Sequence, residues 1–257
     1  MNILDAIVER KRAEAAAMSV VAPAEPSHRS FVSALRSQSP ALIAEVKFRS
    51  PSEGTLLDRE RLPELLNAYR GHAQAISVLC DEQDFGGGYG LLEEIRQSVD
   101  LPILAKEFIV SGRQVIRARK AGADAVLLIA AILSPEEIRN LSETIVALGM
   151  AVLFEIHEEK EAAFIPAFSP GQLVIGINNR NLDTLQVDLG TTARLAPKVR
   201  ERFPDHLMVA ESGVRNAQDV RTLSRDVDGF LIGTAFLKAK DPASCIQSLF
   251  PIPVFRS

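Results

Sequence analysis

The sequence predicts a closed barrel of eight parallel strands, each followed by a helix. Eight short apolar runs recur along the chain, and their starts lie 22 to 34 residues apart. That spacing leaves room for one helix between consecutive strands. The runs are nearly continuous in apolar residues, which is typical of parallel strands covered by helices on their outer side. A (β/α)8 barrel takes about 250 residues, and this chain has 257.

The stretches between the apolar runs carry helix signals. Over 134–149, Ser134 stands as an N-cap with Glu137 three residues later, and Gly149 ends the pattern. The stretch 111–122 ends in a glycine after basic residues, as a helix C-terminus does. The predicted strands are 42–46, 75–80, 102–106, 124–130, 151–155, 173–178, 207–211 and 229–233.

Residues 1–40 precede the first strand and predict a helical extension. An amphipathic helix over 3–18 is followed by a proline-containing linker over 20–30 and a short helix over 31–38. We expect the extension to pack on the barrel, so that residues 1–257 form one domain. A doubly wound open sheet is the structural alternative. Its nucleotide-binding members carry G-x-G-x-x-G after the first strand, where this chain has SPSEG.

Composition excludes several classes of function. The net charge of −4 argues against a nucleic-acid or anionic-membrane surface. Cys80 and Cys245 lie far apart without a C-x-x-C motif, so neither a disulfide framework nor a zinc site is expected. The N-terminus lacks the apolar core of a signal peptide, and no apolar run reaches the roughly 18 residues of a membrane span. We therefore expect a cytoplasmic protein that binds no membrane. No group of His, Cys and carboxylate residues has metal-ligand spacing, so no metal is expected. No unpaired strand edge or apolar face demands a dimer, so we expect a monomer.

Charged side chains end the odd-numbered strands. The first supplies Glu45 and Lys47, the third Lys106, the fifth Glu155 and the seventh Glu211. The C-terminal strand ends of such barrels carry the chemistry, and inward side chains of alternate strands share a layer. We predict one polar layer of Lys47, Lys106, Glu155 and Glu211 at the barrel mouth. Each charge alone is as consistent with a structural ion pair, but together they favour catalysis, because buried charges are costly unless paired or used.

Small polar residues after the last two strands predict an anion site. Ser212 and Gly213 follow the seventh strand, and Gly233 and Thr234 follow the eighth. Loops at these positions commonly hold phosphate in α/β barrels. Ser50, after the first strand, becomes a neighbour of the eighth strand when the barrel closes. Ordinary tight turns are the alternative, but two adjacent loops in the expected place favour phosphate.

Three other features carry less weight. His157 is expected to begin the helix after the fifth strand, and the other histidines are expected at the surface. Cys80 is expected to fill the barrel, since no histidine is placed to activate it. The glycine-rich stretch 85–89 predicts a flexible loop, because it lacks the spacing and the lysine of a P-loop.

Eight stretches of the chain carry a common pattern, and they are AEVKFRSPSEG, AISVLCDEQDFGGGY, PILAKEFIV, AGADAVLLIAAIL, LFEIH, IGINNRNL, VAESGV and GFLIGTAF. In this order they resemble the indole-3-glycerol-phosphate synthase family of tryptophan biosynthesis. The combination is highly specific, although each stretch alone is modest. The resemblance implies a barrel that needs no cofactor and acts on 1-(2-carboxyphenylamino)-1-deoxyribulose 5-phosphate. In that reaction the ring carbon bearing the carboxylate attacks the ketone, CO2 leaves, and loss of water gives the indole.

The resemblance also implies catalytic roles. Lys106 would be the general acid that protonates the ketone oxygen. Glu155, with Glu45 and Lys47, would carry the step that removes the hydroxyl and restores aromaticity. An ammonium beside another cation has a lowered pKa, which we expect to help it give up a proton. Lys47 is also a candidate to bind the substrate carboxylate, so the division of labour between the two lysines stays open.

Binding roles follow from the same resemblance. Asn178 and Arg180 would position Glu45 and the anthranilate ring. Glu211, again with Asn178, would hold ribulose hydroxyls. The apolar walls around the ring would be Phe85 and Phe108.

The chain departs from the family pattern at two positions. The family commonly has K-D-F where this chain has Glu107 between Lys106 and Phe108. Glu107 is expected to point away from the pocket. Its extra methylene, compared with the aspartate of the family, should therefore alter a contact behind the site and not the chemistry. The family usually has F-x-G-S after the second strand, where this chain has Phe85-Gly86-Gly87-Gly88. Gly88 lacks the serine hydroxyl, so any polar role of that position stays open. We expect a monofunctional enzyme, not a fusion with phosphoribosylanthranilate isomerase.

Three other functions fit a barrel with these loops. A Schiff-base aldolase usually takes its lysine from the sixth strand, where this chain has Asn178. A sugar-phosphate isomerase would share the phosphate loops but would need an acid–base pair without the two lysines. A non-enzymatic phosphate-binding barrel would retain its function when Lys106 is replaced.

Overall fold

The barrel in the computed structural model is closed by eight parallel strands. The structure describes residues 3–19, 25–182 and 184–250. Each strand pairs with the next, and the first pairs with the last through the register Ala41 to Gly229. The predicted fold is confirmed, and each predicted strand is correct to within one residue at either end. The strands are β1 (Ala41–Val46), β2 (Ala75–Leu79), β3 (Ile103–Lys106), β4 (Ala125–Ile129), β5 (Ala151–Ile156), β6 (Leu173–Asn178), β7 (Leu207–Glu211) and β8 (Gly229–Ile232).

Helices alternate with the strands and cover the outside of the barrel. The capping box predicted at Ser134 and Glu137 is present, and Gly149 follows the same helix with a φ of +69°. The α-helices are α1 (Ile3–Ala17), α2 (Phe31–Arg36), α3 (Leu62–His72), α4 (Glu82–Phe85), α5 (Tyr89–Ser98), α6 (Gly112–Lys120), α7 (Pro135–Ala147), α8 (Gly190–Arg202), α9 (Ala217–Leu223), α10 (Thr234–Leu237) and α11 (Pro242–Leu249). Short 3-10 helices in the described residues are Arg59–Arg61, Ala130–Ile132 and Glu159–Phe164.

Two apolar cores fix which end of the barrel is open. The larger core lies between the outer faces of the strands and the surrounding helices. The smaller core fills the barrel interior, where Phe31 and Leu35 of α2 pack with Ile43 and Leu104. Since α2 leads directly into β1, it packs at the N-terminal strand ends. The charged residues of the sequence therefore lie at the opposite, C-terminal end.

Helix α1 is held at the C-terminal ends of β2 and β3. Its Lys11 is 4% exposed, and Nζ lies 2.9 Å from both Oε2 of Glu107 and Oδ2 of Asp81. Arg113 donates hydrogen bonds to the carbonyl of Ala16, in the last turn of α1, and to that of Met18, just beyond it. The predicted linker over 20–30 lies partly outside the described residues.

The glycine-rich stretch after β2 is a hydrogen-bonded turn, which corrects the expectation of a flexible loop. Gly86 ends α4 with a φ of +69°. The N–H of Gly87 donates to the carbonyl of Asp81 at 3.0 Å, and that of Gly88 donates to Leu79 at 3.1 Å. A Cβ at Gly87 would lie 1.7 Å from the carbonyl oxygen of Leu79, so only glycine allows this approach.

Candidate active site

Lys106 lies between two buried carboxylates at the mouth of the barrel. Its Nζ is 3.1 Å from Oε2 of Glu45 and 3.5 Å from Oε2 of Glu211. Lys47 forms an ion pair with the other oxygen of Glu45. Lys47 follows directly after β1, which ends at Val46, and its side chain is about as buried as that of Lys106. The first strand and the residue after it therefore bring both Glu45 and Lys47 to the charged layer.

The pKa of Lys106 shifts in the direction opposite to that expected. Burial alone would lower it, but the carboxylates of Glu45, Glu211 and Glu155 outweigh burial and raise the pKa above its usual value. The expectation of a lowered pKa is wrong, because the charges that act on Lys106 are carboxylates and not another ammonium. Lys106 is therefore protonated in the unliganded protein.

The three carboxylates around Lys106 differ in protonation. Burial would raise the pKa of Glu45, but Lys106 and Lys47 lower it to about 2. Burial likewise opposes the ionisation of Glu155, yet contact with His157 and the charge of Lys106 hold its pKa at about 2. Burial and the negative charge of Glu155 raise the pKa of Glu211 to about 8. Two ionised carboxylates thus stand beside a protonated one at neutral pH.

His157 lies against Glu155, which corrects its assignment to the following helix. The 3-10 helix begins only at Glu159, and the His157 ring places Nε2 3.1 Å from Oε1 of Glu155. The sequence signal that could have found this contact is the spacing of two residues, since side chains two apart along a strand share a face.

Two glycines make room for the carboxylates. A Cβ at Gly176 in β6 would lie 2.3 Å from Oε1 of Glu211. A Cβ at Gly233, just after β8, would lie 2.8 Å from both Cβ and Oε1 of Glu45. Any larger residue would displace these side chains, because such separations are far inside van der Waals contact.

A cavity of about 940 Å³, including its open mouth, lies above the charged layer. It adjoins a second cavity of about 660 Å³ between the barrel mouth and α1, to which Ser50, Leu4 and Ile7 contribute. Glu211 is fully buried beside the first cavity and does not line it. The predicted residues that line the first cavity are Glu45, Lys47, Phe85, Lys106, Phe108, Glu155, Asn178, Arg180, Ser212, Gly213, Gly233 and Thr234.

Aromatic and cationic groups are shared by the two cavities. The rings of Phe85 and Phe108 lie side by side, with centroids 6.3 Å apart and planes tilted by 36°. Both rings line both cavities, as do Lys47 and Arg180. An apolar slot with two cations at its edge can take a flat ring that carries a negative charge.

The loops after β6 and β7 are tied together by Asn179, which sequence reasoning missed. Its amide donates to the carbonyls of Glu211 and Ser212, and its Oδ1 accepts from the backbone and hydroxyl of Thr192. The next turn is strained, since Ser212 has a φ of +64° and Gly213 a φ of +90°. Ser212 and Gly213 therefore line the cavity with positive φ angles, a backbone conformation that most residues avoid.

Residues 4–249 match the family model described as indole-3-glycerol phosphate synthase. The chain belongs to that family. It is 42% identical over 236 residues to indole-3-glycerol phosphate synthase 2 of Streptomyces coelicolor, covering 91% of this chain and 90% of the relative. It is 39% identical over 263 residues to the indole-3-glycerol phosphate synthase of Burkholderia vietnamiensis, covering 97% and 99%.

Other similar proteins differ in length or only share the fold. The chain is 42% identical to tryptophan biosynthesis protein TrpCF of Vibrio parahaemolyticus, where the match covers 82% of this chain but only 44% of the relative. Among solved structures, a mutant tryptophan synthase alpha-subunit from Pyrococcus furiosus has a TM-score of 0.61 at 14% identity, covering 84% of this chain and 99% of that one. At that identity the likeness supports the barrel fold alone.

The two departures from the synthase family pattern have structural counterparts. The Glu107 carboxylate turns to α1, where it pairs with Lys11 and also accepts the N–H of Phe108 at 2.7 Å. Gly88 takes a φ of +130° and precedes α5. A Cβ there would lie 3.0 Å from Oε1 of Glu82, so the glycine fits a backbone that side chains rarely allow.

The described residues hold neither a metal-binding cluster nor a membrane-spanning helix. In residues 3–19, 25–182 and 184–250, no three His, Cys, Asp or Glu side chains are grouped to hold a metal ion. Within the same ranges, no helix is long and apolar enough to cross a membrane.

Proposed function

We propose that this protein is an indole-3-glycerol-phosphate synthase, a carboxy-lyase that closes the indole ring of 1-(2-carboxyphenylamino)-1-deoxyribulose 5-phosphate. The observation that carries the proposal is Lys106, held by Glu45 and Glu211 below a cavity with an aromatic slot. Ring closure needs a proton donor at the ketone oxygen, and a buried ammonium fixed by the Glu45 carboxylate and the Glu211 carboxyl group is such a donor.

Lys106 protonates the ketone oxygen when the ring carbon attacks. Its raised pKa keeps the proton in place until substrate arrives. The attacked oxygen develops negative charge, which is a stronger acceptor than the original ketone and draws the proton across. The Glu45 carboxylate and the protonated carboxyl group of Glu211 hold the ammonium in position during this step.

Glu155 is the base of the later step, in which water is lost and the ring becomes aromatic. The charge of Lys106 helps to hold the Glu155 pKa at about 2. Transfer of the Lys106 proton to substrate removes that charge, so the pKa of Glu155 rises when a base is needed. The two steps are thereby coupled through one electrostatic contact.

The two ends of the substrate occupy different walls of the cavities. The aromatic ring packs against Phe85 and Phe108, and its carboxylate meets Lys47 and Arg180, which line the same two cavities. Lys47 is thus assigned to binding, and its pairing with Glu45 links the carboxylate to the catalytic layer.

The sugar phosphate lies at the opposite wall. The residues proposed to bind it are Ser50, Ser212, Gly213, Gly233 and Thr234, which come from the loops after β1, β7 and β8. Asn178 binds the ribulose hydroxyls and steadies Arg180, whose N–H donates to Asn178 Oδ1 at 3.0 Å.

We further propose that the enzyme works as a monomer of one domain in the cytoplasm, without metal or cofactor. A reducing compartment is consistent with two free cysteines, Cys80 and Cys245. Burial raises the pKa of the Cys80 thiol well above its usual value, so it stays an unreactive part of the core.

The deciding experiment is an assay with the purified protein and the carboxyphenylamino deoxyribulose phosphate, without added metal or cofactor. We expect the absorbance and fluorescence of an indole to appear. A protein that binds the substrate, as seen by calorimetry, but never turns it over would contradict the proposal. Retained turnover after prolonged dialysis against a chelator supports the metal-free reaction.

A further inference from the structure

A buried chain of three titratable side chains leads away from the active site behind Glu155. His157 lies between two carboxylates, with Nε2 3.1 Å from Oε1 of Glu155 and Nδ1 3.8 Å from Oε2 of Glu161. The His157 side chain is 10% exposed and that of Glu155 2% exposed. Neither His157 nor Glu161 lines the substrate cavity.

Glu161, the member of this series farthest from the active site, is fixed by hydrogen bonds from the backbone. Oε2 of Glu161 accepts the N–H of His157 at 2.6 Å and that of Glu158 at 3.1 Å. The bond from Glu158, the N-cap residue, is one half of the capping box that starts the 3-10 helix Glu159–Phe164. Glu161 is therefore held by the turn in which His157 itself stands, and its carboxylate is kept facing the ring.

The near end meets the proposed base. Nε2 of His157 lies beside Oε1 of Glu155, and the side chain of Asn178 also bonds to this carboxylate. The other groups that act on Glu155 are Lys106, Asn178 and the protonated Glu211. Lys106 loses its charge during the proposed reaction, whereas His157 lies outside the cavity and keeps its own.

We propose that His157, held in place by Glu161, is a positioning residue that orients the Glu155 carboxylate and supplies a permanent positive charge behind it. This inference rests on the proposed function, because it assigns a support to the base of that reaction. Its role resembles that of a buried group which aligns a catalytic partner and balances its charge without touching substrate.

The protonation of the ring agrees with the geometry. Burial would lower the pKa of His157, but contacts with Glu155 and Glu161 raise it to about 10. A histidine in this environment is an imidazolium throughout the neutral range, so it acts as a fixed cation and not as a proton shuttle.

The first test needs no substrate. The chain has four histidines, so ring carbon–proton NMR spectra are simple, and a His157→Gln sample identifies the His157 signal. We expect that signal not to titrate between about pH 6 and 8. In Glu155→Gln it should titrate at lower pH, because one of its carboxylates is gone. An ordinary histidine titration in the wild type would overturn the proposal.

The second test measures catalysis. We expect His157→Gln to lower kcat by about tenfold, a part of the roughly 10²–10⁴-fold that a positioned acid–base group contributes. KM should change little, since the residue does not touch substrate. The acid limb of the kcat profile should move to higher pH, because loss of the cation raises the pKa of Glu155. An unchanged kcat and pH profile would overturn the proposal.

A matched control separates this role from packing. His206 also has a half-buried ring, and its Nε2 lies 3.0 Å from the carbonyl of Phe168, away from the cavity. We expect His206→Gln to leave kcat and its pH profile unchanged. If the wild type itself produced no indole, the proposed function would fail. The NMR titration would still show whether His157 is held as a cation by Glu155 and Glu161.

Discussion

Lys106 and Glu45 come from strands β3 and β1 and meet 3.1 Å apart, although neither could be stable alone in this position. Burial opposes the charge of each residue, and the pKa of each shifts so that the charge is retained. Each charge thus offsets the desolvation cost of the other, as a buried ion pair requires. The consequences of breaking it can be measured.

Lys106→Met should lower kcat by at least about 100-fold, the low end of what a positioned general acid supplies. KM should stay within a small factor, because Lys106 acts on charge that develops only in the transition state. Steady-state kinetics by indole fluorescence would measure both values. The matched control is Lys120→Met, since Lys120 is exposed on α6. Equal losses in both variants would contradict the role of Lys106.

Glu211→Gln should flatten the pH dependence of stability between about pH 4.5 and 8. In the wild type the folded state holds a proton on Glu211 that the unfolded chain has lost across that window. Stability from this group is therefore present below pH 4.5 and falls as pH rises towards 8, at up to about 1.4 kcal/mol per pH unit. Urea unfolding followed by circular dichroism at several pH values would measure the free energy of unfolding. An unchanged slope in the variant would argue that Glu211 is ionised.

Lys11→Met should weaken the attachment of α1. Loss of this ammonium leaves the buried Glu107 carboxylate without its cation, whereas Asp81 keeps its ion pair with Arg10. Breaking such a buried pair costs roughly 3–5 kcal/mol. Since Leu4 and Ile7 of α1 line the second cavity, KM should rise as well. Denaturant unfolding, limited proteolysis of α1 and steady-state kinetics would test this.

The control for Lys11 lies one residue further along α1. Arg12 pairs with Glu137 at 2.7 Å, but its side chain is 47% exposed. Arg12→Met should therefore cost at most about 1 kcal/mol, as exposed ion pairs do. Equal destabilisation by the two variants would mean that the buried pair is worth no more than the exposed one.

Gly176→Ala should lower both stability and kcat. The added Cβ would lie 2.3 Å from Oε1 of Glu211 and would force that carboxylate away from Lys106. Overpacking of this kind costs roughly 1–3 kcal/mol. In Gly71→Ala nothing lies within 4 Å of the added Cβ, so that variant should gain about 0.5–1 kcal/mol by helix propensity. Thermal unfolding of both variants and kcat would test this, and a neutral Gly176→Ala would show that Glu211 can relocate freely.

Strand positions could be predicted from the sequence because each strand is a short apolar run, separated from the next by turn residues and helix signals. The strand-end charges followed from the general rule that barrel chemistry lies at those ends. The pKa of Lys106 could not be predicted, because it depends on Glu45, Glu211 and Glu155 from three other strands. For the same reason the pairing of Lys11 with Glu107 was missed, since 96 residues separate the two in sequence.

His157 shows a different limit. Its spacing from Glu155 was visible, but its role depends on where the strand ends, and β5 continues to Ile156, one residue past the predicted end. Because the predicted end of β5 was one residue too early, His157 was assigned to the start of the next helix instead of the end of the strand.

The contact between Gly233 and Glu45 crosses the seam where the first strand meets the last. Glu45 is made early in synthesis, yet its place is fixed only when β8 has docked against β1, across nearly the whole length of the chain. Such distant pairings form late in folding because they require closure of a very long loop. A chain that has assembled most of its strands but not closed the ring would thus have all its lysines and carboxylates and still be inactive. Turnover would then report the completion of folding.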